Sequence, residues 1–469
     1  MPSRGLGYGR LSAGIRRPAS KIACQSGRQG TAGSGQVSKE RVWPHKNSAA
    51  DIAERQERIQ PLVGEEGALL FSPSVPMAVL AHFQECVTSH VVLPVGVVGP
   101  LCLELGDYVL GDGGELVERG RSQDQVYVPL AHSEGGLSAS LLRGARACSQ
   151  DGPVHTFVLA DRITRDSCFV FDDSVHALAF AKFASDHQPA ASAWLLGAAA
   201  WKSQPLPAQA PVVARRARLW ELSPHVVGGD CHLRYHFTTG DACGPNMMTK
   251  NAYALNQHFF LPLWLEAGGV PPRQVLLEAN MGGDKKPSAS FFEQGHGKTV
   301  LAEAHLRERT LRRHLQTSSA DLLQLEQVGL HGAHASGMQS FAFTPGSAIA
   351  AIFAATGQDL GMVGTSSMAH GMIRSVADGV IVSMRLPGLE VGTVGGGTGL
   401  PHARAHLALM GCLGEGKVYR FAQIVVAAVL ALEVSAAASM ASEGSRNFAL
   451  AHTVYGGARL SGMPPRGSE

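Results

Sequence analysis

Residues 278–287 read Glu-Ala-Asn-Met-Gly-Gly-Asp-Lys-Lys-Pro. The apolar run 274–277 before them has the composition of a strand. Gly282-Gly283 then breaks regular structure, because glycine accepts backbone angles that other residues avoid. Directly after the pair come one carboxylate and two ammonium groups, Asp284, Lys285 and Lys286, and Pro287 stiffens the exit. By itself the segment reads as a charged surface turn. Three other stretches carry a Glu, an Asp and a His in settings that suit the same chemistry, and the four together point to an enzyme.

Working outward, residues 125–130 read as a strand leading into His132-Ser-Glu134-Gly-Gly. Ser133 is placed to cap a helix running to about Cys148, which puts Glu134 in the first helical turn, where a carboxylate complements the dipole. The small residues Gly135, Gly136, Ser138 and Ala139 leave that Glu uncrowded, as a substrate site needs. Residues 347–356 form a small-residue helix ending at Gly357-Gln358-Asp359. An Asp there is ordinarily a turn former, but its place beyond an Ala-rich helix predicts partial burial and a raised pKa. His452 sits close to a Gly-rich tail, and on spacing alone a lone His reads as structural or surface.

The remaining segments fill in the organisation. A helix is expected from Asp51, as its cap, to Leu62. Residues 91–101 are a β-rich run whose Gly and Pro imply close backbone approach to another strand or to a ligand. Residues 167–277 read as a separate small domain: a helix over 174–183, a Pro-rich linker, a strand near 232–237, and Thr239-Gly-Asp241-Ala-Cys-Gly-Pro-Asn246 ahead of a helix reaching about Leu265. A turn before a helix N-terminus is a ready anion site. Residues 298–303 read as a strand and 306–325 as mostly helix. Gly392-Thr-Val-Gly-Gly-Gly-Thr-Gly399 is a glycine loop that lacks GxGxxG spacing, so no Rossmann fingerprint is present.

The 469 residues leave room for two or three domains, and 45% apolar against 17% charged residues is the balance of a sizeable globular protein. A net charge of +2 gives no reason to expect nucleic acid or an acidic membrane as partner. Eight cysteines without a CxxC pair indicate neither a zinc site nor a disulfide framework, and fit a reducing, cytoplasmic setting. The apolar run 421–442 contains Glu433 and is rich in Ala and Ser, which predicts a buried helix rather than a membrane span. Residues 1–50 carry seven basic residues before the first acidic one, Glu40. They read as a disordered basic extension, with a mitochondrial presequence as the alternative.

The segments LPVGVVGPL (93–101), VPLAHSEGGLSAS (128–140), TGDACGPNM (239–247), DKKP (284–287), GQD (357–359) and GTVGGGTGLP (392–401) resemble, in order, those of 3-hydroxy-3-methylglutaryl-coenzyme A reductase. The loop-borne DKK is closer to the class I enzymes, without their membrane anchor. The resemblance implies an α+β fold: a large domain (51–166 and 278–435) that binds the acyl-coenzyme A substrate, and an inserted small nucleotide-binding α/β domain (167–277) that takes NADP. A helical C-terminal segment (436–469) would carry the catalytic His. It implies reduction of the thioester to mevalonate and free coenzyme A with two NADPH and no metal, in a homodimer or dimer of dimers with shared sites. Matched by motif, the catalytic set is Glu134, Lys285, Asp359 and His452. Arg165, Asp284, Lys286, Ser140, Arg143 and Glu85 fall to the substrate. Asp241, Asn246, Gly395, Gly396, Gly397 and Thr398 fall to the nicotinamide cofactor.

The chain departs from the family pattern at several points. Glu278 stands where a Ser usually precedes the loop, Ser347 where an Asn is usual, and Met362-Val363 where Gln-Asn follows GQD. Cys243 and Pro245 replace two Met, and the His452 segment carries a short insertion. These changes leave open a relative that only binds acyl-coenzyme A or dinucleotide, or a reductase with a shifted acyl substrate or inhibitor tolerance.

Overall fold

The computed structural model describes residues 43–44, 49–63, 75–86, 90–111, 115–208 and 217–452. The basic stretch 1–50 therefore lies almost wholly outside the described residues, as does the Gly-rich tail after His452.

Eleven strands are present among the described residues: β1 (Val95–Leu110), β2 (Leu116–Ala131), β3 (Val154–Val170), β4 (Ala200–Trp201), β5 (Gln204–Pro205), β6 (Arg218–Val227), β7 (Asp230–Thr238), β8 (Gln274–Leu277), β9 (Gly297–Arg307), β10 (His370–Val376) and β11 (Gly379–Leu389). The large sheet runs β10-β11-β9-β3-β1-β2, with β7 and β8 on β3 and β6 on β7. Its ladders are antiparallel except for a brief parallel contact of β1 with β3. Antiparallel sheet with helices packed on it is an α+β arrangement.

β3 organises the molecule. Residues 155–162 pair with β9, then residues 163–170 pair with β7. One strand thus serves two apolar cores. The first gathers residues from β1, β2, β9, β11 and the helix Val418–Ala441; the second gathers aromatic side chains from 163–264, among them Phe169, Phe180, Trp194 and Phe259.

Val418–Ala441 is the one described helix long and apolar enough to cross a membrane, yet most of it is buried inside the protein. Its polar groups are satisfied there. Gln423 exchanges hydrogen bonds with the backbone of Gly106 (2.8 and 2.9 Å). The Glu433 carboxylate accepts from the Phe343 and Thr344 N–H groups (2.8 and 2.9 Å) and from the Thr344 hydroxyl (2.6 Å), at the start of the helix Pro345–Thr356. Burial pushes its pKa up. Helix Leu137–Cys148 crosses the long helix so closely that a Cβ on Gly144 would lie 1.7 Å from the Ala431 carbonyl oxygen.

Several expected boundaries shift. The first described helix is Ala49–Val63, so Asp51 lies inside it rather than capping it. The helix after β2 starts at Leu137 with Gly136 (φ +87°) at its N-cap. Ser133 is therefore not its cap, and Glu134 lies in the preceding loop rather than the first helical turn. Residues 306–307 belong to β9, and 308–315 form a short helix whose second half, Leu311–Leu315, is a π turn. The longer helix Ser319–Ser336 follows, opened by a Ser318/Asp321 capping box, so 306–325 is mostly helical as expected except at its strand start. Sheet pairing outweighs helical propensity at Leu306, which is fully buried opposite Val380. The Gly-Pro run near 99 approaches β2: a Cβ on Gly99 would meet the Val126 carbonyl at 2.8 Å.

Candidate active site

The 278–287 loop is held by the end of β3. The Glu278 N–H donates to the Asp166 carbonyl (2.8 Å), the Met281 N–H to the Asp166 carboxylate (3.3 Å), and the Thr164 hydroxyl to the Gly282 carbonyl. Gly282 permits this approach, since its Cβ would lie 2.9 Å from the Asp166 nitrogen. Beneath the loop, Thr164 also bonds His296 (2.8 Å), which stacks on Phe291 and faces the buried Glu390 at 3.4 Å. Three non-glycine residues of the loop adopt left-handed backbone: Glu278 (φ +70°), Asn280 (φ +69°) and Lys285 (φ +55°). Such strain persists where surrounding contacts over-determine it, and it concentrates at functional sites.

At the loop tip, Lys285 Nζ lies 2.8 Å from Asp359 Oδ2. The second Asp359 oxygen accepts from the Gly361 N–H (2.9 Å), which fixes the carboxylate as the cap of a short turn. Gly361 also makes room for the lysine, because a Cβ there would sit 3.0 Å from Lys285 Cδ. The hydrogen bond to Asp359 raises the Lys285 pKa above the ordinary 10.5, with burial opposing it, so the ammonium is charged at neutral pH. The partial burial expected of Asp359 is not observed: its side chain is 40% exposed and that of Lys285 46%. The helix before it ends at Thr356, and the turn carries Asp359 outward.

Arg165, with a side chain only 5% exposed, directs Nη1 at two carboxylates: Glu278 (2.6 Å) and Asp284 (3.2 Å). Lys286 donates to the Asn280 side chain (2.7 Å). The four motifs are not all brought together within the one chain. Glu134 and His452 are exposed, and among the described residues no hydrogen bond or ion pair joins either to Lys285 or Asp359. Among the described residues His452 is engaged locally, its Nδ1 donating to the Phe448 carbonyl one turn back (2.9 Å). Ser140 and Arg143 bind Ser435 of the long helix, each at 2.9 Å, and Glu85 is exposed in a turn.

The turn at 239–246, the GQD turn and the glycine loop form one unit. The Gln358 side chain exchanges two hydrogen bonds with Gly392 (2.9 and 3.0 Å), and the Asp241 carbonyl accepts from Thr393 and Val394 (2.8 and 3.3 Å). Gly357 and Gly397 touch backbone to backbone. The Asp241 carboxylate, however, accepts from the N–H groups of Gly416, Lys417 and Val418 (2.8–3.2 Å), so it caps the long helix. Asn246 is exposed in the first turn of the helix Pro245–Leu255, behind Gly244 at φ +96°. Gly395 and Gly396 have positive φ and open space where a Cβ would be, while Thr398 bonds back to Gly395 (2.6 Å).

Residues 51–456 match the family described as Hydroxymethylglutaryl-coenzyme A reductase. The chain belongs to that family. It is therefore an oxidoreductase, and its relatives agree. It is 33% identical to the 3-hydroxy-3-methylglutaryl-coenzyme A reductase of Aeropyrum pernix over 78% of this chain and 79% of that one. The figures for the enzyme of Pyrococcus abyssi are 32%, 78% and 82%, and for the reductase 1 of Oryza sativa subsp. japonica 31%, 83% and 68%. A solved structure, the class II reductase of Streptococcus pneumoniae bound to NADPH in open conformations, superimposes with a TM-score of 0.61 at 18% identity, covering 83% of this chain and 97% of that one. That likeness supports the shared α+β fold.

Against this family, two of the departures prove to be neighbours. Cys243 Sγ lies 3.2 Å from Met362 Sδ, so the 239–246 turn and the GQD turn meet through a sulfur contact. Sequence reading missed Thr164, Asp166, His296 and Glu390, which hold the loop from below. A run of four polar residues, Thr164-Arg165-Asp166-Ser167, set between Ile163 and the apolar Cys168-Phe169-Val170 was the available signal, since buried polar groups require partners.

Proposed function

We infer that this chain catalyses the NADPH-dependent, four-electron reduction of 3-hydroxy-3-methylglutaryl-coenzyme A to mevalonate and free coenzyme A. The observation that carries the reading is the Lys285–Asp359 pair at the tip of a strained, glycine-hinged loop, in a chain of this family. A fixed ammonium next to a carbonyl oxygen stabilises the negative charge that builds there during reduction, and such a donor lowers the barrier by about 3–4 kcal/mol. Asp359 orients the ammonium and keeps it charged.

The nicotinamide cofactor fits part of the residue set assigned to it. Asn246 at a helix N-terminus and the open backbone of Gly395 and Gly396 suit an anionic ligand, whereas the Asp241 carboxylate is engaged as a helix cap. Bound there, NADPH would supply the hydride, and two are required for the four electrons. Arg165 is the fork for the free carboxylate of the hydroxymethylglutaryl group, since guanidinium matches carboxylate geometry. Glu134 and His452 are the remaining proton donors, His452 for the leaving thiolate and Glu134 for the aldehyde oxygen. We assign their approach to Lys285 to assembly with a second copy of the chain and closure of the C-terminal segment over the site.

The test is NADPH oxidation by the full chain, followed through the loss of the reduced nicotinamide absorbance. Oxidation that depends on hydroxymethylglutaryl-coenzyme A and releases a free thiol is expected. Absence of any acyl-dependent oxidation would sink the reading in favour of a binding-only relative.

A further inference from the structure

The guanidinium that the proposed function gives to the substrate carboxylate already holds a carboxylate of the protein. Glu278 Oε2 stands 2.6 Å from Arg165 Nη1, closer than Asp284 at 3.2 Å to the same nitrogen. Arg165 Nη2 reaches only the Pro245 carbonyl at 3.4 Å, and among the described residues its Nε and the second Glu278 oxygen are buried without partners. Two carboxylates of the protein thus share one nitrogen of the guanidinium. An arriving carboxylate can take that nitrogen only if one of the two resident groups moves. Asp284 is the more distant of the two and also lies within the field of the Lys285 ammonium. Glu278 sits at the hinge end, one residue after β8, on backbone at φ +70° that a Glu side chain rarely adopts.

We propose that Glu278 is an internal competitor for the free carboxylate of the acyl substrate: it occupies Arg165, is displaced on binding, and thereby sets the KM for carboxylate-bearing thioesters. The proposal rests on the reductase reading and on Arg165 as the substrate fork. It makes Glu278 a specificity-determining residue whose effect is confined to ligands with that carboxylate. Removing its charge leaves Arg165 paired to Asp284, so the guanidinium is not stranded.

Two variants of the full-length protein test it. Glu278→Gln keeps the size of the side chain without its charge; Glu278→Asn shortens it and suits left-handed backbone. Thermal melting establishes that each is folded. Kinetics and calorimetry then compare hydroxymethylglutaryl-coenzyme A, glutarate as the free carboxylate probe, and coenzyme A. The expected result is a roughly tenfold lower KM and Kd for the acyl thioester, about 1.4 kcal/mol. Tighter glutarate binding and unchanged coenzyme A binding should accompany it, and adding Arg165→Met should abolish the gain. Unchanged or weaker binding of both carboxylate ligands in the folded variants overturns the proposal, as does an equal gain for coenzyme A. Wild-type turnover separates the two readings: activity without a variant effect removes the competitor and keeps the reductase. If wild type neither turns over the acyl thioester nor binds it or glutarate, both are overturned.

Discussion

Lys285→Ala separates a catalytic ammonium from a merely structural one. The ion pair it breaks is 2.8 Å long, but its two side chains are 46% and 40% exposed, so solvent screens it. Exposed pairs contribute at most about 1 kcal/mol to stability, and the melting temperature should fall by about 4 °C or less. Transition-state stabilisation by the same nitrogen is larger. Loss of one preorganised donor costs about 3–4 kcal/mol, which lowers kcat roughly 10²–10³-fold. The asymmetry is the prediction: a large loss of rate with a small loss of stability. Acyl-dependent NADPH oxidation by the purified variant, alongside its melting curve, measures both. A folded variant with kcat within about tenfold of wild type would refute the role.

Further expectations follow from the same geometry. Because Asp359 raises the Lys285 pKa, the ion pair is present below the ordinary lysine value of 10.5 and is lost as pH rises through the higher folded value. The alkaline limb of the kcat profile should therefore move to lower pH in Asp359→Asn, and an unmoved limb would detach Asp359 from Lys285. Gly144→Ala forces a Cβ to within 1.7 Å of the Ala431 carbonyl, so the helices must separate. Denaturant unfolding should show a loss of about 1–3 kcal/mol or more, where an exposed helix would gain from the same change. Glu433→Ala removes three hydrogen bonds at the start of the helix Pro345–Thr356. A loss of about 2–4 kcal/mol is expected by the same measurement, and a change under about 0.5 kcal/mol would contradict the capping role.

Local chemistry was legible without coordinates. The 274–277 strand, the glycine break and the long helix read as buried from its Glu433 all rest on short-range rules, and the structure reproduces each. So does the family, whose motifs are contiguous in the chain. What tertiary structure alone decided is pairing. No local rule says that Arg165 on β3 meets Glu278 and Asp284 more than a hundred residues away, or that the Asp241 carboxylate caps a helix beginning at Val418. Nor does one say that sheet pairing carries Leu306 into β9, or that Asp359 turns toward solvent to meet Lys285. Residue types and loop chemistry are properties of neighbours in sequence. Which charge faces which, and how much water reaches them, depends on the packing of distant segments, and that follows only when β3 brings both cores to one strand.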